Sequence, residues 1–186
     1  MKNKVQIFLT HLPDALDPKL ERALVGTLSR VEQDRFDKIK SQQRRQQFLV
    51  GHLLLARLES IHKSLSHSGD VVAVAGFEHP VGIDVEKMEA REYQDQIAER
   101  MFAPEDLATY RNLDGPPKVR RFFELWTLHE ARLKAGAAVG DKQWRTYQSE
   151  PKEGYMMSVV AKTDREFSCD LEWVIFDATW SDTDRA

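Results

Sequence analysis

Helix-period apolar spacing fills two long stretches of this chain, and β-rich segments lie before, between and after them. In the first stretch, Pro18 to about His62, Leu20, Ala23, Leu24 and Leu28 recur at helical spacing, as do Phe48, Leu49, Leu53, Ala56 and Leu58. Breaks are expected near Thr27–Ser29 and Ser41. The second stretch reads as a helix over Arg91–Phe102 and another opened by Ala103-Pro104 through Tyr110. A long helix then spans Lys118–Ala138, announced by Gly115-Pro116-Pro117 and ended by Gly140. Strands are predicted at Lys4–His11, Val71–Gly76, Val81–Glu86, Gly154–Lys162 and Phe167–Asp177, the last alternating through Cys169, Leu171, Trp173 and Ile175. Ser64–Asp70 and Glu78-His79-Pro80 carry turn chemistry, which makes the two middle strands a hairpin or a crossover. The tail Ser181–Ala186 is expected to fray. Strand, helices, strand, strand, helices, strand, strand is an α+β order, and both halves hold helices plus strands, so a loose internal duplication is conceivable.

Composition narrows the classes further. Apolar residues make up 41% of 186 and charged residues 31%, enough for a core and against disorder. Lys plus Arg number 27 against 30 Asp plus Glu, a net charge of −3. That balance argues against a surface given over to nucleic acid, although a local basic patch such as Arg35, Lys38, Lys40, Arg44 and Arg45 remains open. Cys169 is the sole cysteine, so neither an intrachain disulfide nor a Cys-rich zinc site can form. No run approaches the roughly 18 apolar residues of a membrane span, and the start of the chain lacks a signal-length apolar core. A cytoplasmic protein, without membrane or nucleic-acid partners, is the expectation.

Three segments carry candidate chemistry. In Gly82-Ile83-Asp84-Val85-Glu86, residues two apart on a strand share a face, so Asp84 and Glu86 project together while Ile83 and Val85 face the core. Paired carboxylates repel unless a cation sits between them, and Mg²⁺ suits one or two carboxylates plus waters and phosphates. The plain alternative is an exposed strand with a polar outer face. On the long helix, Val119, Phe122, Phe123, Trp126 and Leu133 make one apolar stripe, more in keeping with a core than a cofactor box. Glu130 falls in phase with it. A carboxylate left unpaired there costs several kcal/mol, so it wants a metal, a lysine or both, and Lys134 lies one turn on. The alternative is a surface Glu–Lys pair. Ser66-His67-Ser68, read as a turn, offers hydroxyls, an imidazole and free N–H groups as an anion cradle or a plain capping turn. A Ser–His nucleophile pair is a rival, without a Gly-x-Ser-x-Gly elbow to support it.

The ordered set Leu65-Ser66-His67-Ser68-Gly69, Val81-Gly82-Ile83-Asp84-Val85-Glu86 and Trp126-Thr127-Leu128-His129-Glu130-Ala131-Arg132-Leu133-Lys134 resembles the 4′-phosphopantetheinyl transferase superfamily, of the surfactin-synthetase-activating type. Arg44-Arg45 upstream is similar to that family's basic element. The resemblance runs from about residue 35 to 135. It implies two similar α/β halves related by a pseudo-twofold axis, here residues 1–80 and 81–180 with a tail at 181–186. Coenzyme A would be the substrate and Mg²⁺ the cofactor in the cleft between the halves. The implied partner is an apo acyl or peptidyl carrier protein, which receives the 4′-phosphopantetheine arm on a serine while 3′,5′-ADP is released. Matched by position, Asp84, Glu86 and Glu130 are metal-binding acids, with Glu130 also the base for the carrier serine. Lys134 contacts phosphate, Ser66 and His67 form the phosphate-binding turn, and Arg44 or Arg45 contacts coenzyme A. Carriers are usually acidic, so Lys118, Arg120, Arg121 and Arg132 are candidates for a basic rim. A monomer suffices when one chain holds both halves.

The sequence also departs from the family pattern. His129 stands where lysine usually precedes the helix glutamate. With an ordinary pKa of about 6.5, a histidine carries less charge than lysine at neutral pH. The Gly-Lys-Pro segment of longer members is missing, with Lys63 the candidate stand-in, and His52 is the candidate for an arginine of the first long helix. The same three acids would also serve a degenerate relative that binds a carrier or nucleotide without catalysis, or a Mg²⁺-dependent phosphohydrolase with water as nucleophile.

Overall fold

A computed structural model describes residues 3–138 and 141–175. In chain order the elements are β1 (Lys4–His11), α1 (Pro18–Thr27), α2 (Arg30–Phe36), α3 (Gln42–Arg57), β2 (His62–Ser68), β3 (Val71–Phe77), β4 (Val81–Lys87), α4 (Gln94–Met101), α5 (Pro104–Arg111), α6 (Gly115–Ala135), β5 (Trp144–Lys152), β6 (Tyr155–Lys162) and β7 (Ser168–Trp173). The α+β expectation holds.

The helix breaks fall where the capping chemistry puts them. Asp17 accepts from the backbone N–H groups of Lys19 and Leu20 with Pro18 in the first turn of α1. Ser29 and Glu32 form a reciprocal capping box on α2, and Ser41 caps α3. Helix α6 starts at Gly115, with both prolines in its first turn, and ends at Gly136 in the left-handed region (φ 72°). The predicted terminator Gly140 lies outside the described residues, and so does the end of the strand predicted to Asp177, along with Ser181–Ala186.

A four-stranded sheet, ordered β2-β3-β1-β7, and a three-stranded sheet, ordered β4-β6-β5, are packed face to face. Val5, Ile7, Leu9, Ala73 and Ala75 from one sheet and Ile83, Val85, Met157 and Val159 from the other make the dry layer between them. Helices α1 to α3 cover the outer face of the first sheet through Phe8, Val72 and Val74. Met156 joins the cluster of α4, α5 and α6 on the other side. The order β-α-α-α-β-β occurs twice, and β2-β3-β1 in one sheet corresponds to β5-β6-β4 in the other, all antiparallel. β7 then returns to pair in parallel with β1, so the C-terminal strand belongs to the sheet of the first half.

Three expectations are corrected. Of the two alternatives for the middle strands, the hairpin is corrected and the crossover stands: β3 pairs with β1 and β2, whereas β4 pairs with β6 in the other sheet. Ser64–Ser68 is strand rather than turn. Its serines at alternate positions gave no apolar face to read, and the real turn is confined to Gly69-Asp70, where Gly69 takes φ 55° as a two-residue hairpin requires. Leu133, placed in the apolar stripe of the long helix, is 60% exposed. Strand β5 escaped the sequence reading because its one exposed face is polar and Pro151 sits at an irregularity of the pairing between Ser149 and Lys152.

Asp70, at the hairpin tip, ties the sheets together. It accepts from the Tyr155 hydroxyl and from Lys152 Nζ (3.0 Å), with His11 Nδ1 at 3.3 Å. Partial burial would raise its pKa, but the bonds from Tyr155 and Lys152 outweigh that and hold it down to about 2. A carboxyl whose folded pKa is depressed stabilises the fold above its unfolded value of about 4 and loses that contribution as pH falls towards about 2. Thermal unfolding across that window should show Asp70→Asn flattening the acid limb of the native protein's stability. An unchanged limb would remove Asp70 from the account.

Candidate active site

Strand β4 is an edge strand whose outward N–H groups need partners. Alternate serines of β2, the edge of the other sheet, provide them. Ser64 Oγ accepts from Ile83 N–H (3.1 Å), Ser66 Oγ from Val85 N–H (3.2 Å) and Ser68 Oγ from Lys87 N–H (3.1 Å). Side-chain oxygens thus take the place of carbonyls where the two sheets meet. Two of these hydroxyls also donate to the candidate acids: Ser66 to Asp84 Oδ1 (2.7 Å) and Ser68 to Glu86 Oε2 (2.6 Å).

The other face of β4 lies under α6, and glycine sets the distance. A Cβ on Gly82 would lie 2.0 Å from the carbonyl oxygen of Ala131 and 2.7 Å from the amide nitrogen of Ala135. Only a bare backbone allows that approach. It brings Lys134 Nζ to Asp84 Oδ1 (2.8 Å) and to the Ile83 carbonyl (3.1 Å), and Trp126 Nε1 to Glu86 Oε1 (3.4 Å). Trp126 and Lys134 are each one turn from Glu130 on the same helix face. Glu130 is half-buried and makes no hydrogen bond or ion pair among the described residues. As expected, Ile83 and Val85 are fully buried, but Asp84 is buried too, at 5% exposure, which rules out the exposed-strand alternative for it.

Burial pushes the Asp84 carboxyl up to about 6, against the pull of Lys134 and Ser66. Its Oδ1 takes both bonds, while Oδ2 is buried with no hydrogen-bond partner among the described residues. Arg91 Nη2 adds a bond to Glu86 Oε2 (2.9 Å). Among the described residues no three His, Cys, Asp or Glu side chains form a ready-made metal-ligating group. The donor set nevertheless fits a hard divalent cation. It consists of carboxylates, one with an orphaned buried oxygen, and Mg²⁺ needs only one or two of them beside water and phosphate.

On the opposite face of β2, His67 meets Arg44 of α3, whose Nη1 lies 3.3–3.4 Å from the imidazole nitrogens. Burial, then the guanidinium, lowers the His67 pKa, so this ring favours the neutral form. Arg45 is spent elsewhere: it stacks over Phe36 at 3.8 Å and donates to the Phe36 and Ile39 carbonyls. Between the two arginines left open by the sequence, Arg44 is the one beside His67. His52 stacks on Phe48 and faces Glu32 at 3.4 Å, and Lys63 donates to the Leu55 carbonyl. His129 stacks on Trp126 with Nε2 buried and unpartnered. The expected basic rim is mostly neutralised, since Lys118 pairs with Asp95, Arg120 with Glu150, and Arg121 with Asp106. Reading Ser64–Ser68 as a turn hid Ser64 and the bridging role of all three serines. Their spacing of two was the signal. Nothing in the sequence pointed to Arg91.

Residues 80–172 match the family model described as the 4′-phosphopantetheinyl transferase superfamily. The chain is 38% identical over 87 residues to the 4′-phosphopantetheinyl transferase psf-1 of Bacillus pumilus, covering 45% of this chain and 35% of that protein. It is 39% identical over 75 residues to the 4′-phosphopantetheinyl transferase gsp of Aneurinibacillus migulanus, covering 40% and 31%. With the 4′-phosphopantetheinyl transferase of Bacillus subtilis it shares 30% over 84 residues, covering 45% and 37%. The chain thus spans about a third of the length of these curated relatives.

Proposed function

Because this chain belongs to the 4′-phosphopantetheinyl transferase superfamily, we propose that it transfers the 4′-phosphopantetheine arm of coenzyme A to a serine of an acyl or peptidyl carrier protein, with Mg²⁺ as cofactor and 3′,5′-ADP as the second product. The observation that carries this reading is the buried Asp84 carboxylate, oriented through one oxygen and unpartnered at the other, under a helix that presents Glu130 and Lys134. The repeated element order supports two halves about a pseudo-twofold axis. In that arrangement coenzyme A lies where the first half's Arg44 and His67 approach the second half's acids.

Each residue has a task that its surroundings permit. Asp84 Oδ2, Glu86 and Glu130 would hold the cation, which when bound neutralises charge on the diphosphate. Lys134, held on Asp84 Oδ1, would add positive charge beside a bound phosphate, where negative charge grows in the transition state. Arg44 and His67 bind phosphate by charge and by N–H donation. Glu130, with no side-chain partner among the described residues, would accept the proton of the carrier serine as the serine Oγ bonds to phosphorus and the bond to the 3′,5′-ADP oxygen breaks.

The test is mass spectrometry of an apo acyl carrier protein incubated with this protein, coenzyme A and Mg²⁺. One added phosphopantetheine per carrier is expected. Binding without transfer would instead indicate a non-catalytic relative, and coenzyme A cleavage without an acceptor a phosphohydrolase. Glu130→Gln should slow transfer by about 10²–10⁴-fold, the usual worth of a general base, while leaving the circular dichroism spectrum unchanged. Near-native activity in that variant would remove Glu130 from the base role.

A further inference from the structure

We propose that Ser66 and Ser68 are positioning residues for the cation-binding acids, and that Ser64, on the same strand at the same spacing, serves the fold alone. This rests on the proposed transfer reaction and on Asp84 and Glu86 as cation-binding acids. All three hydroxyls accept a backbone N–H from β4, at 3.1–3.2 Å. A hydroxyl has one proton to donate. Ser66 spends its proton on Asp84 Oδ1 and Ser68 spends its own on Glu86 Oε2, whereas among the described residues no carboxylate receives that of Ser64.

The consequence for Asp84 is geometric. With Ser66 and Lys134 both on Oδ1, the carboxylate is held in one rotation, and that rotation leaves Oδ2 buried and without a partner. For Glu86, Ser68 and Arg91 take Oε2, and Trp126 approaches Oε1 from the helix side. Ser66 itself is 6% exposed, its proton goes to Asp84 and one lone pair accepts the Val85 N–H, so its hydroxyl is turned to the acids. His67, between the two serines, points the other way to Arg44. Strand β2 therefore serves both sides at once, with Ser66 and Ser68 orienting the acids and His67 meeting the arginine. The fixed orientation matters because outer-sphere partners hold metal-binding side chains in place, and their loss typically weakens metal binding about 10–100-fold.

The experiment is Mn²⁺ binding by calorimetry on the whole chain without coenzyme A or carrier, together with urea unfolding of each variant. Ser64→Ala, Ser66→Ala and Ser68→Ala should all lower stability, since each abandons an N–H of β4. Mn²⁺ affinity should drop about 10-fold or more in Ser66→Ala and Ser68→Ala, remain within about 2-fold of native in Ser64→Ala, and recover in Ser66→Thr, which restores the hydroxyl. If Ser66→Ala does not fold, Ser68→Ala carries the test, because Ser68 is only half-buried. Equal Mn²⁺ affinity in Ser64→Ala, Ser68→Ala and the native chain would overturn the positioning role while leaving the transfer reaction standing. Absence of Mn²⁺ binding in the native chain would overturn the positioning role by removing the cation from Asp84 and Glu86, while the carrier-protein assay decides the transfer reaction separately.

Discussion

Gly82→Ala should cost about 3 kcal/mol or more and detach the active-site helix from its strand. The added methyl would lie 2.0 Å from the Ala131 carbonyl oxygen and 2.7 Å from the Ala135 amide nitrogen, where real Cβ atoms do not approach within 3.0 Å. Both obstacles are backbone, so no side chain can swing aside. Overpacking a tight site costs about 1–3 kcal/mol when neighbours relax, and more when they do not. Relief requires α6 to retreat from β4, which pulls Lys134 off Asp84 and Trp126 off Glu86. Urea denaturation should show the lost stability, and transfer activity should fall with it. A variant with native stability and activity would mean that α6 does not sit on β4 as described. Gly26, with no atom within 4 Å of a built Cβ, is the control position. Gly26→Ala should be neutral or slightly stabilising, as alanine is the better helix former.

Asp84→Asn should abolish the proposed transfer, by about 10³-fold or more, without destabilising the metal-free protein. The reason lies in the cost of keeping this carboxylate ionised. Its folded pKa of about 6 exceeds the unfolded value of 3.8, so between those values the folded state binds more protons than the unfolded one. Stability of the metal-free chain therefore falls as pH rises from about 4 to about 6 and stays lower above that. A difference of about two pKa units amounts to about 2–3 kcal/mol. Asparagine keeps an acceptor for Ser66 and Lys134 and has no charge to bury, so the variant should lose this pH dependence. Thermal unfolding at pH 4 and pH 7 measures it. A native protein equally stable at both, or an Asp84→Asn variant that still transfers, would remove Asp84 from the centre of the site. Residues kept at a cost to stability are typical of functional positions.

The acids illustrate how legible the site was. Asp84, Glu86, Glu130 and Lys134 could be picked out because strand and helix periods put each pair on a common face, and family motifs marked the same positions. What periodicity does not contain is which face meets which. The serines of β2 look like turn residues locally. They became strand only because β3 pairs along them and because β4 has an unpaired edge needing acceptors. Tertiary context overrode local preference there, as it did for the polar strand β5. Arg45 and Arg44 are adjacent in sequence, and nothing local distinguishes them. The aromatic ring of Phe36 and the C-terminal carbonyls near α2 claim one, leaving the other for His67.

From its sequence alone this chain determined its α+β class, its helix starts at Asp17, Ser29 and Ser41, and the identity of its acidic and basic candidates. These are local matters of capping, spacing and side-chain chemistry. Only the tertiary structure decided that the two middle strands part into separate sheets, that three serines join those sheets, and that a glycine lets a helix press its lysine onto a buried aspartate. Hydrogen-bond satisfaction at a sheet edge and close packing across residues some fifty positions apart set those outcomes, and neither is written in any short window of sequence.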